Sequence, residues 1–208
     1  MKHVARRSSI RVVVAPLLAC ILGLVAFAAA SDGSVPSVPW DASTPLTWDL
    51  FRCTPPADAV HRSEAAAIHM TIRWHASYSV TSSGSTWIGR VQNVTVTNTM
   101  EPSLSWVVPG KADARVLRHE QGHFDLNEVY RRKLEIVLPC LQSQCASKQG
   151  AIDELEAALH QRADGILEQL QAVQGRYDAE SGHGNNPSGQ ARWEARIAAW
   201  LLNPVAAP

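Results

Sequence analysis

The sequence predicts an α+β fold: a small antiparallel sheet packed on one long helix that carries the functional motif, with two further helices. Three observations lead there. Side chains alternate with a period of two between Ile68 and Thr97, and an extended piece follows at Ser103 to Val108. The period becomes helical from Ala114 to Leu138. Two later stretches, roughly Lys148 to Gln174 and the segment opening at Pro187, repeat apolar residues at helical spacing.

The first thirty residues read as an export signal. Lys2, Arg6, Arg7 and Arg11 form a basic start, Val12 to Phe27 is apolar, and Ala28-Ala29-Ala30 offers a small-residue cleavage site before Ser31. The apolar run is interrupted by Pro16 and is short for a membrane span, and no later stretch is apolar enough to cross. The chain is therefore expected to be exported, periplasmic or secreted, with no stable membrane span after cleavage. Leu17-Leu18-Ala19-Cys20 resembles a lipidation box, but the apolar run continues well past Cys20, which favours soluble export over an anchor.

Residues 1–30 hold four basic side chains and no acidic ones. Of 19 basic and 19 acidic residues overall, 15 and 19 remain beyond them, a net charge of −4. That balance speaks against a nucleic-acid partner or a polybasic membrane surface. The remaining length suits one domain, expected over residues 46–208. Cys53, Cys140 and Cys145 remain in it, and an oxidising compartment would permit one disulfide among them without indicating which.

In order along the chain, residues 31–45 are rich in Ser, Pro and Asp and read as a flexible lead-in. Leu46 to Phe51 is a compact apolar unit, closed by Pro55 and Pro56, whose aromatics dock on the core. Ile68, Met70, Ile72 and Trp74 alternate with His69, Thr71, Arg73 and His75, a strand with one buried face and two histidines on its polar face. Ser82 to Ser85 is a turn, and Trp87 to Thr97 alternates again. Pro109-Gly110 stops the third extended piece, giving a sheet of about three strands. Asp113 is placed to cap the long helix and Pro139 to end it. Ile152, Leu155, Leu159, Ile166, Leu170 and Val173 mark the apolar side of the second helix, with His160 in its middle as a structural residue. Arg176 to Asn186 reads as a break in regular structure, and Pro187 with Asn186 as cap opens the last helix.

The chemistry lies in the long helix. His119-Glu120-Gln121-Gly122-His123 is an H-E-x-x-H pentapeptide. Residues i and i+4 of a helix share a face, so both imidazoles aim at one point, as a zinc ion with nitrogen ligands requires. Val116, His119, His123, Leu126, Tyr130, Leu134 and Val137 fall on one stripe, with Arg118, Gln121, Asp125, Arg132 and Glu135 opposite. Two histidines in an apolar stripe need a buried partner, and a metal supplies one. Glu120, a quarter turn round, is placed to act as general base towards a zinc-activated water.

A catalytic zinc has three protein ligands and an open position. The longer pattern H-E-x-x-H-x-x-G-x-x-H is excluded, because Leu126 and Val129 stand where it needs Gly and His. His183, between Gly182 and Gly184, is the favoured third ligand. Carboxylates are the alternatives: Asp178 or Glu180 in the irregular segment, or Glu154 or Glu156 on the second helix. Asp178 could instead orient a ligand ring, and Tyr177 could point its hydroxyl at a developing oxyanion.

These residues together resemble a family of exported bacterial proteins, DUF922, described as zinc-dependent proteases. The likeness rests on SWVVPGKADARVLRHEQGHFDLNEVYRRKL, above all Arg118 to Asp125. It is supported by LTWDLF from Leu46 and by YDAESGHG followed by QARWEARI. It covers most of the chain beyond the signal. Where family members more often carry Thr, this chain has Ser181. The resemblance implies a zincin-like fold and a metallopeptidase that uses one zinc ion and a peptide or protein substrate. In such folds an edge strand beside the helix can pair with an extended peptide, here expected within Val94 to Val108. Two rival readings stand beside this one: a non-catalytic envelope module that keeps zinc for stability or partner binding, and a zinc hydrolase of another amide bond.

Overall fold

The computed structural model describes residues 35–59 and 64–208. The expected signal over residues 1–30, with Cys20, lies outside the described residues. The architecture is α+β, with two small antiparallel sheets and three helices.

The main sheet is a hairpin with additions. β3 (Met70–Ser83) and β4 (Thr86–Met100) pair antiparallel from Met70↔Met100 to Ser83↔Thr86, with a bulge at Ser77/Tyr78. The two residues between them are Gly84 and Ser85, and Gly84 supplies a left-handed φ of 61°. Both strands run further than the clearest alternation suggests, since Ala76 and Tyr78 continue the buried face of β3. On its other edge β4 carries β1 (Val38–Pro39) at one end and β6 (Gln142–Cys145) at the other. The piece expected as a third strand of this sheet does not join it. β5 (Trp106–Val107) pairs with β2 (Ala66–Ala67) in a separate two-stranded sheet.

Two of the three helices pack on the sheet, and the last packs on those two. α1 (Ala114–Val137) is capped by Asp113, whose side chain accepts from Val116 N at 2.8 Å. α2 (Lys148–Ser181) is capped by Ser147 and is seven residues longer than the apolar pattern indicated. It ends at Gly182, in the left-handed conformation that closes helices. α3 (Pro187–Leu202) starts from Asn186, which accepts from Gly189 N. The core joins Ile72, Trp74, Tyr78 and Val96 of the sheet to Leu126, Tyr130 and Leu134 of α1, Leu155, Leu159 and Leu170 of α2, and Trp193 of α3.

One expectation needs correction here. The lead-in is not loose over residues 38–46. β1 is hydrogen-bonded to β4, Trp40 Nε1 donates to Asp125 Oδ1 at 2.8 Å, and Leu46 N donates to Gln121 Oε1 at 2.8 Å. This strap covers the side of α1 that the helical stripe assigned to solvent. It buries Leu46 and Phe51 with Ile68, Met100 and Phe124. The strap yields a first prediction. Trp40→Phe leaves Asp125 Oδ1, half-hidden from water, with the Gln121 amide alone at 2.7 Å. The expected loss is about 1–2 kcal/mol, read as a lowered urea midpoint with unchanged slope. Cys53, Cys140 and Cys145 stand as free thiols, so none of the pairings left open among them is formed.

Candidate metal centre

One helical turn sets the geometry. His119 and His123 project from the same side of α1, with ring centroids 4.6 Å apart and their Nε2 atoms 3.1 Å apart. α2 brings Asp178 over them. Asp178 Oδ1 lies 3.2 Å from His119 Nε2 and 2.9 Å from His123 Nε2. His183, just past the end of α2, sets Nδ1 3.4 Å from the same oxygen. His119, Asp178 and His183 each offer a ligand atom within 4.8 Å of the others, so this trio could hold a metal ion. The backbone after α2 allows it. Gly182, His183 and Gly184 all take positive φ, at 57°, 51° and 78°, and a Cβ on Gly184 would come within 3.0 Å of His119 Cβ.

Hydrogen bonds settle which ring nitrogens are bare. Gln174 Nε2 donates to His123 O at 3.0 Å and to Asn127 Oδ1 at 3.1 Å, which turns its Oε1 to His123 Nδ1 at 2.5 Å. Gln190 Nε2 donates to Tyr177 Oη at 2.8 Å and to Glu194 Oε1 at 3.1 Å, which turns its Oε1 to His119 Nδ1 at 3.4 Å. An amide oxygen only accepts, so both Nδ1 atoms carry the proton. In the neutral rings both Nε2 lone pairs then point at each other and at a carboxylate oxygen. Such a donor set is repulsive without a cation between its members. Zinc bonds of about 2.0–2.1 Å place tetrahedral donors about 3.3 Å apart, close to the spacing seen here. The residues fit a small divalent cation.

The electrostatics agree. Burial pushes Asp178 up, but hydrogen bonds and charge from His119 and His123 more than offset it, holding the carboxyl well below the usual range. Burial draws His119 below an ordinary imidazole. At His123 the same burial is outweighed by Asp178, and the ring is held above its ordinary value. The two rings thus differ: the surrounding charge favours the charged form at His123, and burial disfavours it at His119.

Glu120 lines the same pocket as His119, His123, Asp178 and His183. It is buried, and its Oε2 accepts from Ile68 N at 3.0 Å. Burial, partly offset by His123 and the Ile68 N–H, pushes its carboxyl up to about 7. The pocket is small, about 20 Å³ open to the centre of a water molecule, and Glu64, Ala65, Ala66 and Val116 complete its lining.

The structure brings His119, Glu120, His123 and His183 together, and adds Asp178 closer to the centre than the irregular segment suggested. Asp178 and Glu180 lie on α2, not in a loop. Glu180 points elsewhere, accepting from Trp193 Nε1 at 2.9 Å and Arg196 Nη1 at 3.2 Å. Glu154 accepts from Cys145 Sγ, and Glu156 pairs with the Tyr78 hydroxyl, both away from the histidines. Tyr177 does not sit where an oxyanion would form. It is fully buried beneath the histidines, stacked on His119 at 4.7 Å, and its hydroxyl donates to His119 O at 3.1 Å while accepting from Gln190. Burial also raises that hydroxyl above its ordinary value, so its proton stays in place. Its role is support for the two histidine rings. Gln174 and Gln190 were not evident from the sequence, where a glutamine beside an apolar stripe looks like a solvated residue. Gly122 was the available clue, since its missing side chain admits Tyr177. The bordering strand also differs from the expectation: β2, not Val94–Val108, lies against the pocket.

A family described as bacterial protein of unknown function, DUF922, matches residues 52–184. Among curated proteins and among solved structures, nothing matches.

Proposed function

The chain belongs to the DUF922 family, and from that premise we propose that it is an exported zinc-dependent peptidase with a zincin-like site. One observation carries the reading. Two bare imidazole nitrogens and a carboxylate oxygen lie within 3.2 Å of one another, with a buried glutamate lining the same pocket. His119, His123 and Asp178 would hold the zinc, with His183 at the exposed rim. Bound zinc would acidify a water and polarise a carbonyl.

The chain's own groups supply the rest. Glu120 Oε1 and Oε2 carry a carboxyl that titrates near neutral pH, so the side chain can take a proton and give it up again. The Ile68 N–H holds Oε2 and fixes the direction in which the carboxylate faces. β2 suits an extended substrate. Val108 N donates to Ala65 O at 2.8 Å, so by antiparallel alternation Ala66 turns its own N–H and C=O away from β5. Ala66 lines the pocket, and those groups are placed to pair with a peptide backbone.

A second reading, a non-catalytic zinc module, is favoured by His183. If His183 Nδ1 joins the other three donors, the metal is four-coordinate and no position is left for water. His183→Ala separates the two. The peptidase reading expects zinc to remain bound and hydrolysis of an unstructured protein to persist or rise. The closed-site reading expects zinc affinity to fall about 10-fold or more, with no hydrolysis in either form.

A further inference from the structure

We infer that Gln174 and Gln190 are positioning residues. They lock His123 and His119 as Nδ1–H tautomers through neutral amide oxygens, and so set how strongly the pair donates to a metal. The metal part of this inference rests on the zinc reading above; the tautomer part does not.

The two glutamines come from different helices and do the same thing. Gln174 of α2 and Gln190 of α3 are both buried, at 2% and 3% exposure, where an unanchored amide would be costly. Each is held by two donated bonds: Gln174 to His123 O and Asn127, Gln190 to Tyr177 and Glu194. Neither amide can flip without setting its NH₂ against the Nδ1–H of its histidine and leaving acceptors unmet. The histidines follow the amides and not the reverse.

The chemistry of the acceptor is the point. A carboxylate at Nδ1–H makes the imidazole a stronger base and a stronger ligand, whereas an amide oxygen orients the ring with less effect on its basicity. Here both Nδ1 atoms face neutral oxygens. Ser181 Oγ, 3.4 Å from His119 Nδ1, is a further neutral group on that side. The carboxylates around the rings are engaged otherwise: Asp178 on the Nε2 side, Glu120 on the Ile68 N–H, and Glu194 one bond away, on the far end of the Gln190 amide. The site therefore orients its histidines fully while leaving them moderate donors, which makes the zinc exchangeable.

Two measurements on the full chain test this. Nitrogen NMR of ¹⁵N-histidine-labelled, metal-free protein, at a pH where both rings are neutral, should show a protonated Nδ1 and a bare Nε2 for His119 and His123. A bare Nδ1 on either ring overturns the lock. Zinc affinity, by competition with a chelator, should tighten in Gln174→Glu and weaken in Gln174→Met, each by about 10- to 100-fold. A Gln174→Glu protein that keeps the wild-type circular dichroism but binds zinc no more tightly overturns the tuning. The NMR measurement needs no variant, so it decides even if Gln174→Glu fails to fold. Should the wild type take up no zinc while its nitrogens read as expected, the zinc reading fails and the lock stands.

Discussion

On the peptidase reading, Glu120→Gln is expected to leave zinc bound and to cut peptide hydrolysis by roughly 10²- to 10⁴-fold, the range for removing a positioned general base. Glutamine is nearly isosteric, and its amide oxygen can still accept the Ile68 N–H that now reaches Oε2. What disappears is the group able to hold a proton in the pocket. No donor to the metal is removed, so zinc affinity should change little. The fold should not suffer either. A carboxyl lifted to about 7 by burial is one the folded state would rather keep neutral, and at neutral pH the amide removes that desolvation cost. A variant that retains zinc and the wild-type melting temperature but has lost turnover is the expected outcome. Unchanged turnover removes Glu120 from the chemistry.

Gly122→Ala inverts an ordinary rule. Inside an α-helix this exchange usually stabilises, because glycine loses more backbone freedom than alanine. Here the new Cβ would stand 2.2 Å from Tyr177 Oη and 2.7 Å from its Cζ. Tyr177 cannot step aside. It is fully buried, packed against His119, His123 and Trp193, with its hydroxyl bonded on both sides. The clash is expected to cost about 3 kcal/mol net, at the upper end for an overpacked core. Because the displaced ring supports both histidines, zinc affinity should fall along with stability. Denaturant unfolding with and without zinc reads both. Adding Tyr177→Phe, which removes the nearer of the two atoms, should restore part of the loss. Equal instability of the single and double variants would show that the conflict lies elsewhere.

Much of this was legible in the sequence, and the exceptions have physical reasons. The pentapeptide, its helix and the Asp113 cap follow from local rules that tertiary packing did not override. The β3–β4 hairpin was visible as alternation. The end of α2 was not. Gly175 and the polar run after it look like a break, yet Val173, Tyr177 and Ser181 keep the helix's buried face going for two more turns. That extension puts Asp178 on a rigid element above the histidines, while His183 remains beyond the helix end and largely exposed. Which groups face the two histidines depended on where a helix stopped, which packing decides. Gln174 and Gln190 depend on it too, since only the assembled helices show that their amides face inward. The strap over residues 38–46 was missed because its anchors, Trp40 to Asp125 and Leu46 to Gln121, span 85 and 75 residues.

The central claim is that a zinc ion belongs at the meeting point of His119, His123 and Asp178. Anomalous X-ray scattering at the zinc edge, from crystals of the full chain equilibrated with zinc, addresses it directly. The account predicts a single strong peak within bonding distance of His119 Nε2, His123 Nε2 and Asp178 Oδ1. No peak at that point, or zinc bound only elsewhere on the chain, would contradict it.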